Sequence, residues 1–259
     1  MRHLNHDNIV KLLESTESKN LYYIILELVP GGNIFDQILR LTYFSENLSR
    51  HVINQVTQAL DYLHEECGII HRDLKPENIL FSPIPFVPKD GFTAHGRSDR
   101  KEEEGEFIPG IGSGGIGRIK VADFGFSKKM VWDRRATTPC GTADYMAPEI
   151  VQNEEYSKEV DIWALGCVLY TMLCGFHPFN YKSSQKMAEK VVCGQYSFLS
   201  PWWDNISGSA KDLVFSLLIT DPAERFTIKE AQAHPWMNID RRISSAAVRQ
   251  DEANVISGD

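Results

Sequence analysis

Between Ile162 and Tyr181 the chain carries no Asp, Glu, Lys or Arg, and this run constrains the fold more than any other stretch. Gly175, His177 and Pro178 interrupt it, which leaves about 13 apolar helical positions where a bilayer crossing needs about 20. A helix that is apolar on all sides and too short to span a membrane has to be buried in a protein core. Ser157 stands where a cap for that helix is expected. With 259 residues, 42% of them hydrophobic and 24% charged, the chain has enough apolar surface to close a core around it and does not have the composition of a disordered polymer. The length admits one large domain or two small ones.

Other segments read by pattern. Leu21 to Leu28 is aromatic and β-branched up to Val29 and is stopped by Pro30-Gly31-Gly32, which predicts a buried strand and turn. From Ser45 the residues Leu48, Val52, Val56, Leu60 and Leu63 recur at helical spacing until Gly68. Ser209 is the expected cap of a helix carrying Leu213, Val214, Leu217 and Leu218, and Thr227 to Glu230 matches a capping box. Residues 81–118 combine prolines, a charge cluster and a glycine-rich end, and are expected to be a long, flexible surface loop. The tail after Trp236 loses its periodicity.

The formal net charge is -8, from 27 Lys and Arg against 35 Asp and Glu, which speaks against nucleic acid or an anionic membrane as partner. The five cysteines are scattered and show no metal-ligand spacing. The first residues have no signal-peptide pattern. We expect a reduced, cytoplasmic protein, with the nucleus as a second compartment.

Three motifs follow one another: His71-Arg72-Asp73-Leu74-Lys75-Pro76-Glu77-Asn78, then Asp123-Phe124-Gly125, then Ala147-Pro148-Glu149. In this order the sequence resembles the eukaryotic protein kinases. The order makes chemical sense, because phosphoryl transfer needs a carboxylate beside the acceptor hydroxyl, oxygen ligands for Mg²⁺ and a cation near the transferring phosphate. The resemblance implies ATP and Mg²⁺ as cofactors and protein Ser or Thr as acceptor. Asp73 would be the base or orienting carboxylate, Asn78 and Asp123 the Mg²⁺ ligands, and Lys75 the counter-charge for the γ-phosphate. His71 would be structural. Thr142 would hydrogen-bond Asp73 and Lys75, as in serine/threonine kinases. Glu149 and Arg225 would form a buried ion pair, and Asp161 would accept backbone N–H bonds from the catalytic loop. Leu26, the backbones of Glu27 and Val29, Leu80 and Ala122 would line the adenine pocket, and Glu77 would serve a basic substrate residue.

The stretches Gly31-Gly32-Asn33-Ile34-Phe35, Ala122 to Lys128, Leu173 to Phe179 and His234-Pro235-Trp236 resemble the calcium/calmodulin-dependent kinase group. The 81–118 insertion is similar to that of fungal calmodulin-kinase-like enzymes acting below stress MAP kinases. Asn33 stands where the group usually has a substrate-binding glutamate. The resemblance makes Thr138, followed by Pro139, an activating phosphosite for an upstream MAP kinase, with Arg72 as its phosphate partner and Thr137 as the alternative. Control by calmodulin stays open.

A Gly-rich loop and a strand lysine of the Val-Ala-Ile-Lys type precede these motifs in the family, and neither precedes them here. Gly110 to Gly115 satisfies G-x-G-x-x-G, but it follows the catalytic loop and is expected to be a flexible linker into a strand at Ile119. The expected fold is therefore α+β and kinase-like: a small-lobe remnant and hinge at 1–29, a helical large lobe at 30–238 with 81–118 inserted, and a tail at 239–259. An inactive docking or scaffold module built from the large lobe is the rival reading.

Overall fold

The computed structural model describes residues 1, 3–89, 102–129, 136, 141–181 and 183–239. Strands β1 (Leu12–Glu17) and β2 (Tyr22–Leu26) form an antiparallel hairpin with Leu12 opposite Leu26 and Glu17 opposite Tyr22. The strand is where its β-branched and aromatic residues predict it, but it is not buried. Every residue of β2 is exposed, Tyr22 to 77%. Strand side chains alternate between two faces, and among the described residues no second layer covers either face of this hairpin.

Helix α1 (Ile34–Leu41) starts at Asn33, whose side-chain oxygen accepts the Asp36 N–H at 2.9 Å, and it buries Ile34, Ile38 and Leu41 on one face. Helix α2 (Glu46–Asp61) starts at Ser45, whose hydroxyl accepts the Leu48 N–H at 3.2 Å. Leu48, Val52, Val56 and Leu60 are its buried stripe, Leu63 continues it through a π-helical turn (Tyr62–Glu66), and Gly68 closes the segment with φ +62°. Two short antiparallel pairs follow. Strand β3 (Ile69–Ile70) pairs with β6 (Lys128–Lys129), and β4 (Ile79–Pro83) pairs with β5 (Ile116–Val121), Ile79 facing Val121 and Leu80 facing Lys120.

The described ends of the 81–118 insertion are folded, contrary to the flexible loop expected. Strand β5 begins at Ile116 rather than Ile119. Glu104 is buried, accepting the Ser45 N–H at 2.7 Å, the Ser45 hydroxyl at 2.6 Å and the Ser113 hydroxyl at 3.0 Å. Arg40 donates to Glu102 at 3.0 Å and to the Gly114 carbonyl at 2.6 Å. The Gly110 to Gly115 stretch is therefore a set of defined turns rather than a free linker: Ile108 and Gly112 exchange both backbone hydrogen bonds at 2.9 Å. Acidic residues that look like a solvated charge run thus supply the acceptors that fix the segment to the end of α1 and the start of α2.

Helix α3 (Pro148–Val151) carries Glu149, and α4 (Glu159–Cys174) is the apolar helix expected from the uncharged run. Every residue from Val160 to Cys174 is buried. Each fully buried Leu or Ile contributes about 1.5–3 kcal/mol relative to exposure, so α4 is the centre around which α2 and α6 pack. Its cap position is Lys158, one residue beyond the Ser157 expected, with Ser157 supplying a backbone carbonyl to Val160. It ends at Gly175 with φ +88°, where a Cβ would stand 2.2 Å from the Thr42 carbonyl oxygen. Helix α5 (Ser184–Val192) follows. Helix α6 (Gly208–Leu217) is capped by Ser207, not Ser209. The earlier serine wins because Glu46, on the first turn of α2, accepts both its N–H and its hydroxyl, at 2.7 and 2.8 Å. Helix α7 (Ile228–Ala233) has the Thr227 and Glu230 capping box. Trp236 closes the core and donates its indole N–H to Glu46 at 2.7 Å. Among the described residues no helix is long and apolar enough to cross a membrane.

Candidate active site

The loop from His71 to Asn78 joins β3 to β4, and its shape is dictated by Asp161 on the first turn of α4. The carboxylate of Asp161 accepts the N–H of His71 and the N–H of Arg72, each at 2.8 Å, and the Nε2 of His64 at 2.7 Å. Two successive N–H groups reach one carboxylate because Arg72 takes φ +70°, a left-handed conformation uncommon outside glycine. Burial alone would push the Asp161 carboxyl up, but the hydrogen bond and charge of His64 and the loop N–H groups outweigh it and hold the group below the usual carboxylate range.

His71 is fully buried. Its Nδ1 accepts the Asp73 N–H at 3.3 Å, so the neutral ring carries its proton on Nε2 and donates to the Ala122 carbonyl at 3.0 Å. Burial pushes its pKa down, and Phe124 packs edge-on with ring centres 5.0 Å apart. This histidine links the loop of residues 71–78 to the Asp123 turn.

Asp73 is the centre of the cluster. One carboxylate oxygen accepts the Thr142 N–H and hydroxyl, both at 2.9 Å, and the other lies 3.0 Å from the Lys75 Nζ and 3.1 Å from the Asn78 amide nitrogen. Lys75 also donates to the Thr142 hydroxyl at 2.6 Å. Burial raises the Asp73 pKa, but the hydrogen bonds of Lys75 and Thr142 and the lysine charge more than reverse this, leaving it below the ordinary value. The segment can come this close because Gly141 lies against the Arg72 carbonyl, where a Cβ would stand 2.5 Å from that oxygen.

Asn78 is buried and also donates to the Asp73 carbonyl at 2.8 Å. Asp123 is exposed, at φ +60°, with one carboxylate oxygen accepting the Gly125 N–H at 3.1 Å. No cluster of three or more His, Cys, Asp or Glu poised for a metal occurs among the described residues. Asn78 and Asp123 nonetheless fit Mg²⁺, which takes hard oxygen ligands and is usually held by one or two carboxylates completed by water and substrate phosphates.

Of the expected adenine-pocket residues, Val29 is buried, Leu80 and Ala122 are partly buried, and Leu26 lies on the exposed hairpin. Glu27 is committed to the hairpin and to β5: its N–H donates to the Lys11 carbonyl at 3.0 Å and its carboxylate pairs with Lys120 at 2.7 Å. Glu77 is partly buried, and one of its carboxylate oxygens has no hydrogen-bond partner among the described residues. Thr138 and Thr137 lie outside the described residues. Arg225 meets Glu149 with two parallel hydrogen bonds at 2.7 and 3.0 Å, both side chains buried, and donates as well to the carbonyls of Glu159, Ile219 and Thr220.

The protein kinase domain family matches residues 1–237. This chain belongs to that family. The kinase domain is 58% identical to the serine/threonine-protein kinase srk1 of Schizosaccharomyces pombe over 92% of the chain and 41% of the relative. It is 54% identical to the calcium/calmodulin-dependent protein kinase type II of the same yeast, over 92% of the chain and 47% of the relative. It is 49% identical to the serine/threonine-protein kinase RCK2 of Saccharomyces cerevisiae, over 89% and 38%. The chain thus spans less than half the length of these curated relatives, and the expected likeness to fungal members of the calmodulin-kinase group holds.

Two partners in the kinase site were not signalled by the sequence. His64 lies in the middle of a helical run and reaches Asp161 only through the fold. Tyr156 lies ahead of α4 and places its hydroxyl 3.0 Å from an Arg72 nitrogen.

Proposed function

We propose that the chain is the catalytic large lobe of a protein serine/threonine kinase that transfers the γ-phosphoryl of MgATP to Ser or Thr hydroxyls of proteins. The observation that carries this reading is the Asp73 carboxylate, gripped at both oxygens by Thr142, Lys75 and Asn78. A carboxylate whose pKa is depressed is a weak base, so Asp73 orients the acceptor hydroxyl toward phosphorus and takes its proton late, once the new P–O bond has acidified it. Lys75, 3.0 Å from Asp73, supplies positive charge where the transferring group gains negative charge. Asn78 and Asp123 would hold Mg²⁺, which neutralises phosphate charge when bound. His71 keeps the two loops in register through Ala122. Glu77 is the carboxylate we propose for a basic substrate side chain. A MAP kinase acting on Thr138 is the regulatory partner we propose.

The exposed face of β2 favours one second reading, a docking module that presents this lobe to another protein. The deciding test is transfer of labelled γ-phosphoryl to a basic Ser/Thr peptide by the 259-residue chain, alone and completed with a kinase small lobe. Label on Ser or Thr with the completed lobe, abolished in Asp73→Asn, supports the enzyme; no transfer by either form supports the docking module.

A further inference from the structure

We propose that the Tyr156 hydroxyl is a positioning group that ties Ala136 to the loop carrying Asp73 by holding the guanidinium of Arg72. Tyr156 is 2% exposed, and its backbone pairs with Ala136 through two hydrogen bonds of 2.9 Å, N–H to carbonyl in each direction. Ala136 is itself buried. The phenol oxygen accepts from the Arg72 Nη1 at 3.0 Å, and the Arg72 Nε donates to the Phe126 carbonyl at 2.5 Å.

Arg72 is thus fixed at both ends by residues close in sequence. Asp161 holds its backbone N–H at 2.8 Å, and Tyr156, five positions earlier, holds its side chain. A long, flexible side chain contributes to geometry only when its hydrogen bonds select one conformer, and a charged donor makes each such bond stronger than a neutral one. The residue so fixed adopts φ +70° and immediately precedes Asp73. Through Tyr156 the position of Ala136 is therefore felt at the loop that carries Asp73. Among the described residues the guanidinium's acceptors are neutral, the phenol and a peptide carbonyl. The consequence for turnover rests on the phosphotransferase reading, whereas the contact with Arg72 stands apart from it.

Tyr156→Phe removes the hydroxyl while keeping the ring and the backbone bridge to Ala136. The test follows the Arg72 Nε–H resonance in the ¹⁵N-arginine-labelled chain, assigned by its loss in Arg72→Lys. The expected result is a shifted Arg72 signal and guanidinium exchange faster by about tenfold, with the other arginine signals in place, because a hydrogen-bonded side chain has been released. Where the protein transfers phosphoryl, kcat falls about fivefold with KM for MgATP unchanged, and adding Tyr156→Phe to Arg72→Ala costs nothing more. An Arg72 resonance unchanged in Tyr156→Phe, or equal kcat in variant and wild type, overturns the proposal. If the wild type transfers no phosphoryl even when completed with a kinase small lobe, the enzymatic reading falls and the Arg72 signal alone decides the positioning role. Should Tyr156→Phe fail to fold, Arg72→Gln reads the same link from its other end: faster amide exchange at Ala136 and Tyr156 with α6 unaffected supports it, and unchanged exchange there refutes it.

Discussion

The carboxylate of Asp161 reaches back ninety positions to accept the backbone N–H of His71 at 2.8 Å. One acidic side chain at the start of the central helix thereby sets the path of the loop that carries Asp73. In Asp161→Asn one carboxylate oxygen becomes an N–H₂ group, which faces the Arg72 N–H in one orientation and the His71 N–H in the other. The variant should lose about 2–3 kcal/mol of unfolding free energy, since a buried donor is left without its acceptor. Chemical denaturation checks this, and a loss below about 0.5 kcal/mol would contradict it.

Glu149 and Arg225 form a buried bidentate pair. Glu149→Ala should cost about 3–5 kcal/mol by stranding the guanidinium. Replacing both partners with apolar residues often restores a lone buried pair, but here the carbonyls of Glu159, Ile219 and Thr220 would lose their donor too. The double variant should therefore remain destabilised by more than about 2 kcal/mol. Stability equal to wild type in the double variant would show that those three carbonyls find other donors.

The insertion is expected to be anchored by Glu104 rather than by its glycines. Glu104→Ala should lower stability by about 1–3 kcal/mol and speed cleavage by a nonspecific protease between residues 102 and 115, because the Ser45 and Ser113 groups lose their common acceptor. Unchanged cleavage in this stretch would mean that its other contacts, those of Arg40 and of Val87 and Lys89 among them, hold it without Glu104.

His177 gives a pH signature. Burial pushes its pKa down to about 3, so its ring stays neutral in the folded protein while the unfolded chain titrates near the ordinary 6.5. Between these values the unfolded state binds one more proton, and stability falls as pH drops from about 6.5 toward 3. His177→Gln should flatten the slope of stability against pH by about 1.4 kcal/mol per pH unit over pH 4–6. Denaturant titrations at four pH values would show it, and parallel slopes for the two proteins would count against a neutral buried imidazole.

Local rules made much of this fold legible. The stripe from Leu48 to Leu63, the caps at Ser45 and Thr227 and the central apolar helix all depend on neighbours a few residues away, and the structure has them. Expectations failed where a distant partner decided. Ser207 displaced Ser209 because Glu46 reaches it across 161 positions, and Glu104 turned an apparent charge run into an anchored segment. The exposure of β2 depends on which layer covers it, something strand composition cannot show. In the site, the resemblance to kinases named Asp73, Lys75, Asn78, Asp123 and Thr142, whereas the restraints from His64 and Tyr156 exist only in three dimensions.

The central claim is a division of labour in which Asp73 acts on the acceptor hydroxyl and Asp123 on the cation. It is tested most directly by measuring turnover on a Ser/Thr peptide and MgATP affinity for Asp73→Asn and Asp123→Asn in the chain completed with a kinase small lobe. Asp73→Asn should lower kcat by about 10²–10⁴ with MgATP affinity within about twofold of wild type. Asp123→Asn should lower turnover and also weaken nucleotide binding in a Mg²⁺-dependent way. Identical defects in the two variants, or wild-type turnover in Asp73→Asn, would contradict the account.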